Sequence, residues 1–130
     1  TALSGQFETE QQLRRIKAVK KQTKKALMNM LLEAREFLKH PHCVKQNIPA
    51  IAKAIGLSEF HFIRLFHTTF GITPYQYSLQ CRMDYSKLLL LEGGQIAEVA
   101  LACGFQDLSS FSRAFKHHFG MSPTEFRSSN

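Results

Sequence analysis

Apolar residues recur at the spacing of an α-helix from Leu27 onward. In the first such segment they fill one face up to Leu38, which predicts a helix over about residues 26–39. No stretch alternates between apolar and polar residues over the length of a strand. The pattern therefore predicts an all-α fold of about seven helices. Residues 1–12 are polar and small, and we expect them to be loosely ordered.

Glycine, proline and capping residues mark the ends of the later helices. Ser58 precedes an apolar helix as a good N-cap, and Gly71 follows that helix as a residue that readily takes the left-handed conformation. The run Thr73-Pro74-Tyr75-Gln76 is a capping box with proline at the first helical position. The later predicted helices run from near Ile48 to Gly56, from Ser58 to Phe70, from Pro74 to about Leu91, from near Ile96 to Gly104, from about Asp107 to Phe119, and for a short distance after Pro123.

The chain carries one pattern twice between Ile51 and Phe126. The first copy reads IAKAIGLSEFHFIRLFHTTFGITPYQY and the second reads VALACGFQDLSSFSRAFKHHFGMSPTEF. Matching positions are 48 residues apart before the short turn and 49 apart after it, so the second copy has one extra residue there. Turns are where insertions are tolerated best. The matched pairs are Ala52 with Ala100, Gly56 with Gly104, Phe62 with Phe111, Arg64 with Arg113, Phe66 with Phe115 and Phe70 with Phe119.

Each copy consists of a short helix, a glycine turn and a longer helix, which is the layout of a DNA-binding helix-turn-helix. Two copies are too few for a stacked repeat array, so we interpret them as two reading heads. The predicted architecture is two helix-turn-helix subdomains joined by a long linker helix, within a DNA-binding domain over residues 26–130. The first helix-turn-helix covers about 48–70, the linker helix about 74–91 and the second helix-turn-helix about 96–119.

The longer helix of each copy has two opposed faces. The face with Phe62, Phe66 and Phe70 stays apolar in the second copy, as expected of a core. The opposite face changes its chemistry between the copies and keeps one arginine, as expected if two similar scaffolds contact different base pairs. These outer positions give the candidate DNA-binding residues Phe60, Ile63, Arg64, His67, Ser109, Ser112, Arg113 and Lys116.

The candidate residues suit different parts of a DNA groove. The guanidinium of Arg64 or Arg113 can pair with O6 and N7 of guanine, and Phe60 and Ile63 can contact thymine methyl groups. The serines are short hydrogen-bonding groups, and the basic residues further along each helix suit phosphates. Two alternatives stay open at this point. The arginines could be ion-paired to a core acid, and Phe60 and Ile63 could be buried against the first helix.

The net charge favours a polyanionic partner. It is +7, with a pI near 9.6. The excess is uneven, because residues 1–40 hold nine Lys or Arg and four acids, whereas residues 41–130 hold eight and six. Seven of the basic residues lie between Arg14 and Lys25. We therefore predict that residues 1–25 form a basic linker or a disordered segment, which is more often solvated than a binding arm.

Other functional classes find little support in the residues. No apolar run approaches the ~20 residues of a membrane span, and no signal peptide is recognisable. No catalytic constellation or phosphate loop is present, so we expect neither an enzyme nor a cofactor. Three scattered cysteines without a CxxC motif fit a reducing cytosol. His40, His42 and Cys43 lack a fourth ligand at a suitable spacing, so no metal site is expected.

Two alternatives to specific DNA binding remain. The chain could be a helical protein-interaction module, which would hold a partner such as RNA polymerase and expose an apolar patch at Phe60–Ile63. It could instead be a metal-sensing or alkyl-accepting protein that works through Cys43, which predicts bound zinc or a depressed pKa of that thiol. A defined motif selected from random DNA would exclude both.

The repeated motifs resemble the AraC/XylS family of bacterial transcription regulators over about residues 27–127. The resemblance is strongest at IAEVALACGFQDLSSFSRAFKHHFGMSPTEFR, which is similar to the family's C-terminal signature. It implies a protein of the bacterial cytoplasm and nucleoid that binds double-stranded DNA with two recognition helices in successive major-groove segments. Arg64 and Arg113 then fall on reading positions, together with Phe60, Ile63, Ser109 and Ser112.

The resemblance also implies more chain than the printed sequence. Family members commonly carry a separate N-terminal effector or dimerisation domain, so we expect one in the full-length protein, with residues 1–25 as the remnant of an interdomain linker. A stand-alone small regulator is the other possibility.

Overall fold

The computed structural model describes residues 2–40 and 47–129. Within these ranges all regular secondary structure is helical, which confirms the predicted all-α fold. The helices of the described residues are α1 (Ala2–Leu38), α2 (Asn47–Ala54), α3 (Glu59–Phe70), α4 (Pro74–Leu91), α5 (Ile96–Ala102), α6 (Leu108–Phe119) and α7 (Pro123–Ser129).

The first helix is much longer than predicted. It begins at Ala2, so the predicted start near residue 26 and the loose order expected of residues 1–12 are both wrong. The physical reason is helix propensity. Residues 6–38 contain neither glycine nor proline and are rich in Gln, Glu, Lys, Arg and Leu, which lose little side-chain freedom in a helix. Because its apolar face is thin, the spacing of apolar residues does not indicate this helix.

Backbone contacts divide the chain into two units, Thr1–Glu33 and Ala34–Asn130. The first unit consists of α1 residues, and most of its described side chains are exposed. The second unit holds the last turns of α1 and helices α2–α7, and therefore both copies of the repeat. The assignment of residues 1–25 to a linker stays a prediction.

Each copy of the repeat builds the same aromatic core. Two rings of each longer helix are fully buried, as the apolar face predicts. The third ring, at the C-terminal end of each helix, is half-buried. Ring-centroid distances agree closely between the copies: 5.8 Å for Phe62–Phe66 and 5.7 Å for Phe111–Phe115, then 4.6 Å for Phe66–Phe70 and 4.7 Å for Phe115–Phe119.

The two turns inside the repeats are closed by equivalent backbone hydrogen bonds. The Leu57 N–H donates to the Ala52 carbonyl at 2.9 Å, and the Phe105 N–H donates to the Ala100 carbonyl at 3.0 Å. Both bonds pass over a glycine with positive φ, as in a helix that ends in a left-handed residue. The extra residue of the second copy follows Phe105, after the closing bond, so it lengthens the turn without changing how α5 ends.

The linker helix α4 begins at the predicted capping box. Thr73 Oγ1 accepts from the Gln76 N–H at 3.1 Å, and Gln76 Oε1 accepts from the Thr73 N–H at 3.0 Å. Downstream, α4 contributes Met83 and Leu90 to the core of the second copy. That core is completed by Val99, Ala100, Cys103, Phe111, Phe115 and Phe126. The linker helix is therefore part of the second helix-turn-helix core as well as the connection between the two copies.

Candidate nucleic-acid interface

The two longer helices, α3 and α6, each begin at a side-chain cap. Ser58 is extended and its hydroxyl accepts from the His61 N–H at 3.1 Å. Asp107 is also extended, and its Oδ1 accepts from the Ser110 N–H at 2.7 Å. Capping fixes the first turn of each helix, which is the turn that carries the first outward-facing candidate residue.

The two caps differ in charge. The backbone N–H of Ser110 holds the pKa of Asp107 below its ordinary value, and the nearby positive charge of Arg113 acts in the same direction. The Asp107 carboxylate therefore stays ionised at the N-terminus of α6, where the helix dipole favours negative charge. The matching cap of α3, Ser58, is neutral, and the acidic residue at that end is Glu59 in the first turn, so the two helices place their N-terminal acid at different positions.

The predicted outer face of α3 points away from the core. Phe60 is 74 % exposed, so it is not buried against the first helix. Ile63 is half-buried, while Arg64 and His67 are exposed. The alternative that this face is buried against the first helix is therefore excluded for Phe60, whereas Ile63 is partly covered.

The outer face of α6 has the same layout with different chemistry. Ser109, Arg113 and Lys116 are exposed and Ser112 is half-buried. Each helix also ends the same way, because a left-handed glycine N–H donates at 2.8 Å to the carbonyl of the last outer residue. All eight candidate residues therefore lie on the two outward faces, four on each helix.

The two matched arginines are not used to hold the fold. Neither Arg64 nor Arg113 makes a hydrogen bond or ion pair with another residue in the described part of the chain, although Arg113 lies within electrostatic range of Asp107. The alternative of pairing to a core acid finds no support there. The guanidinium groups are therefore exposed, with their hydrogen-bond donors available to a ligand.

Three basic residues outside the candidate set contact aromatic rings, which the sequence analysis does not predict. The guanidinium of Arg35 lies 4.6 Å from the centroid of the Phe70 ring, and Arg82 lies 5.1 Å from that of Phe105. Lys87 covers the rings of the second copy's last two helices. The sequence carries no local signal for the burial of Arg82, because its buried neighbours four residues away on either side are Ser78 and Ser86 and form no apolar stripe with it.

The metal and cysteine hypotheses receive no geometric support from the described residues. His42 and Cys43 lie outside the described residues. Among the described ones, no group of three His, Cys, Asp or Glu side chains is arranged to hold a metal ion. Cys103 is fully buried, and its burial raises the pKa of the thiol to about 11. Among the described residues, no helix has both the length and the apolarity that crossing a bilayer requires.

Two capped helices, α3 and α6, each carry an outward arginine. Each packs on the short helix that precedes it across a glycine turn. This arrangement defines a DNA-binding helix-turn-helix protein. A family model described as a helix-turn-helix domain matches residues 51–129, more than half of the chain. The chain belongs to the AraC/XylS family of transcription regulators, as the sequence resemblance implies. The proteins of this family that it matches are regulators of transcription.

Individual relatives agree with this assignment. The chain is 39 % identical over 84 residues to the "Probable transcriptional regulator LumQ" of Photobacterium leiognathi, which covers 64 % of this chain and 34 % of LumQ. It is 40 % identical over 78 residues to the Msm operon regulatory protein of Streptococcus mutans, covering 59 % of this chain and 28 % of that protein. The chain thus spans about a third of the length of these relatives.

Solved structures share the fold. The C-terminal domain of AraT, a response regulator from Geobacillus stearothermophilus, has a TM-score of 0.72 at 25 % identity, over 78 % of this chain and 85 % of that one. The DNA-binding domain of AdpA, a global transcriptional factor solved in complex with a target DNA, has a TM-score of 0.65 at 25 % identity, over 79 % of this chain and 90 % of that one.

Proposed function

We propose that this chain binds one asymmetric DNA site, with α3 and α6 as recognition helices in successive segments of the major groove. The observation that carries the proposal is the pair Arg64 and Arg113. They occupy the same position on two helices with matching caps, matching cores and matching glycine ends, and both are exposed. A structural role would not require the repetition of an unpaired arginine on an outward face.

The dimensions of the linker fit this arrangement. At 18 residues, α4 is about 27 Å long for a rise of about 1.5 Å per residue. Successive major-groove segments on one side of B-DNA are about 34 Å apart. With a recognition helix near each end of α4, the two helices can reach neighbouring segments with little bending of the DNA.

The two helices divide the chemistry of recognition. Arg64 and Arg113 each pair with a guanine through both O6 and N7. On α3, Phe60 and Ile63 lie against thymine methyl groups, whereas Ser109 and Ser112 on α6 give short hydrogen bonds. His67 and Lys116, further along their helices, contact phosphates and fix the register.

The binding partners of the protein follow from the same proposal. AdpA's domain binds a target DNA, and we expect double-stranded DNA to be the principal partner here, so that the protein works at the bacterial nucleoid. The relatives LumQ and the Msm operon regulatory protein are about three to four times as long as the matched segment, which supports an additional effector or dimerisation domain in the full-length protein. RNA polymerase is the expected protein partner of such a regulator.

The proposal is tested in two stages. Sites are first selected from a random DNA pool with the 130-residue chain, and a defined motif is expected. Binding of Arg64→Ala and Arg113→Ala is then measured against the best site and all its single-base variants at one salt concentration. Each variant should lose about 1–3 kcal/mol and relax its preference at one base pair, in opposite halves of the site.

Other outcomes would assign these residues differently. Uniform weakening on every DNA variant would place both arginines on phosphates. No defined motif at all would refute the proposed function and favour the protein-interaction module, for which the 74 % exposure of Phe60 is the supporting observation. His61→Ala is a useful control, because His61 is exposed on α3 but is not among the candidate reading positions.

A further inference from the structure

One arginine of the linker helix is buried. Arg82 lies midway along α4, and only 4 % of its surface is exposed. Arginine is rarely buried to this degree unless it is paired. In the described residues its Nε has no hydrogen-bond partner. A buried and unpartnered donor costs free energy that an apolar side chain of the same size would not cost.

The guanidinium of Arg82 faces two aromatic rings. It lies 5.1 Å from the centroid of Phe105 and 6.0 Å from that of Tyr75, both within the range of a cation–π interaction. Tyr75 belongs to the first turn of α4, next to the end of the first helix-turn-helix. Phe105 belongs to the turn between α5 and α6. Arg82 therefore connects the beginning of the linker to the turn of the second helix-turn-helix.

The Phe105 ring transmits this contact to the recognition helix. It packs edge to face against Phe111 at a centroid distance of 5.4 Å. Phe111 is fully buried and is one of the two central core rings of α6. A shift of the guanidinium would thus move the turn and the axis of α6 together.

Arg82 also lies close to the point where the linker changes partners. In its N-terminal half, Tyr77 contacts Phe66 of the first copy at 6.0 Å. Two residues later Leu79 packs against the core of the second copy, in which Met83 and Leu90 are buried. Arg82 lies within one helical turn of Leu79, so the geometry around it contributes to how one copy is oriented against the other.

We propose that Arg82 is a positioning residue that fixes the direction of α6 relative to the first helix-turn-helix and thereby sets the spacing between the two half-sites on DNA. The inference rests on the proposed function. The planar guanidinium can stack on the two rings that it faces, so it resists rotation better than a flexible ammonium or thioether would. Its loss should leave each recognition helix able to read its own bases while the distance and angle between them become less strictly defined.

The test uses the selected site and versions with one base pair added or removed between its halves. Each base pair turns the second half by about 34–36° and moves it by about 3.4 Å. For the wild-type 130-residue chain, either change should weaken binding by about tenfold or more. In Arg82→Met, which keeps most of the side-chain volume, this spacing penalty should shrink to about threefold or less. The preferred base at each position should stay the same.

Arg82→Lys and Arg35→Met complete the set. Arg82→Lys keeps the charge without the plane and should show an intermediate penalty. Arg35→Met removes the same chemistry elsewhere, because Arg35 also covers a phenylalanine ring and also has an unpartnered Nε. Its contact, to Phe70, lies within the first helix-turn-helix and α1, so its spacing penalty should equal that of the wild type. Thermal unfolding of each variant confirms that binding is measured on folded protein.

The outcomes separate the inference from the function on which it rests. A wild-type spacing penalty in both Arg82 variants would overturn the positioning role, as would an equal loss of penalty in Arg35→Met. Altered base preference at single positions would show that Arg82 acts on readout instead of spacing, and would also overturn it. A wild-type chain without a preferred site would refute the proposed function itself, and the inference would fall with it.

Discussion

The guanidinium of Arg35 lies 4.6 Å from the centroid of the Phe70 ring. The second copy repeats the relationship, because the ammonium of Lys87 lies 5.0 Å from the centroid of Phe119. In both copies a cation from the preceding long helix thus covers the last ring of the recognition helix, which is only half-buried. The inner rings must then contribute most of the stabilisation of the aromatic core, and one of them, Phe66, is fully buried.

This difference predicts an unequal cost of ring removal. Phe66→Ala should lower the free energy of unfolding by about 3–5 kcal/mol, the usual range for a buried phenylalanine. Phe70→Ala should cost clearly less, because the ring is partly solvated and an exposed cation–π contact contributes only about 0.5–1 kcal/mol. Urea unfolding of the two variants measures both values. Equal losses would mean that the ring at the helix end is as well packed as the inner one.

The acid side of the stability profile should depend on Asp107. Its pKa is lower in the folded protein than its ordinary value, chiefly because the Ser110 N–H donates to the carboxylate. A lowered pKa means that the stabilisation is present above the ordinary carboxyl range and is lost as the pH falls through the folded value. Asparagine caps a helix about as well without titrating. Asp107→Asn should therefore lose less stability than the wild type on acidification.

Thermal unfolding between neutral pH and about pH 3 checks this prediction. Asp84 is another exposed aspartate, and it lies on α4. Asp84→Asn therefore controls for the removal of one negative charge. If the wild type and Asp107→Asn lose stability in parallel, the cap does not titrate in the range that the hydrogen bond implies.

Burial should protect Cys103 from thiol reagents. The side chain is fully buried, and burial raises the pKa of its thiol to about 11, so both access and the reactive thiolate are scarce at neutral pH. Cys81 is half-buried and also has a raised pKa, chiefly from burial. Labelling resolved by peptide mass spectrometry should therefore be slow at Cys103, faster at Cys81, and equal for both after denaturation. Fast native labelling of Cys103 would show that the second core opens readily.

How much the sequence predicts depends on whether a position is set locally. Ser58 and Thr73 are recognisable as caps from their neighbours alone, because a cap is satisfied by backbone groups two or three residues away. The outward faces of α3 and α6 followed from helical periodicity and from the repeat. The predicted start of α1 is wrong, because helix propensity extends that helix into a segment where the apolar pattern is weak. The burial of Arg82 was missed, because its rings come from segments 7 and 23 residues away in the chain.

The basic segment of α1 should contribute affinity without sequence preference. Seven basic residues lie between Arg14 and Lys25, outside the repeat, and the described ones among them are exposed. Exposed Lys and Arg near DNA release counterions from phosphates but do not contact base edges. Deleting residues 1–25 should therefore weaken binding and flatten the plot of log affinity against log salt, by about 0.9 in slope for each phosphate that is no longer neutralised. The preferred sequence should not change.

A milder change and a matched control make the salt experiment specific. Replacing Lys24 and Lys25 together by Gln keeps the helix while removing two exposed charges, so the slope should fall by at most about 2. Lys39→Gln removes one charge that is already paired, since Lys39 Nζ lies 2.7 Å from Glu36 Oε1, and it should leave the slope nearly unchanged. A preferred site that shifts on deletion of residues 1–25 would mean that α1 takes part in base readout. An unchanged slope would mean that these charges do not reach the phosphates, and that the affinity for DNA comes from the two recognition helices and the residues around them.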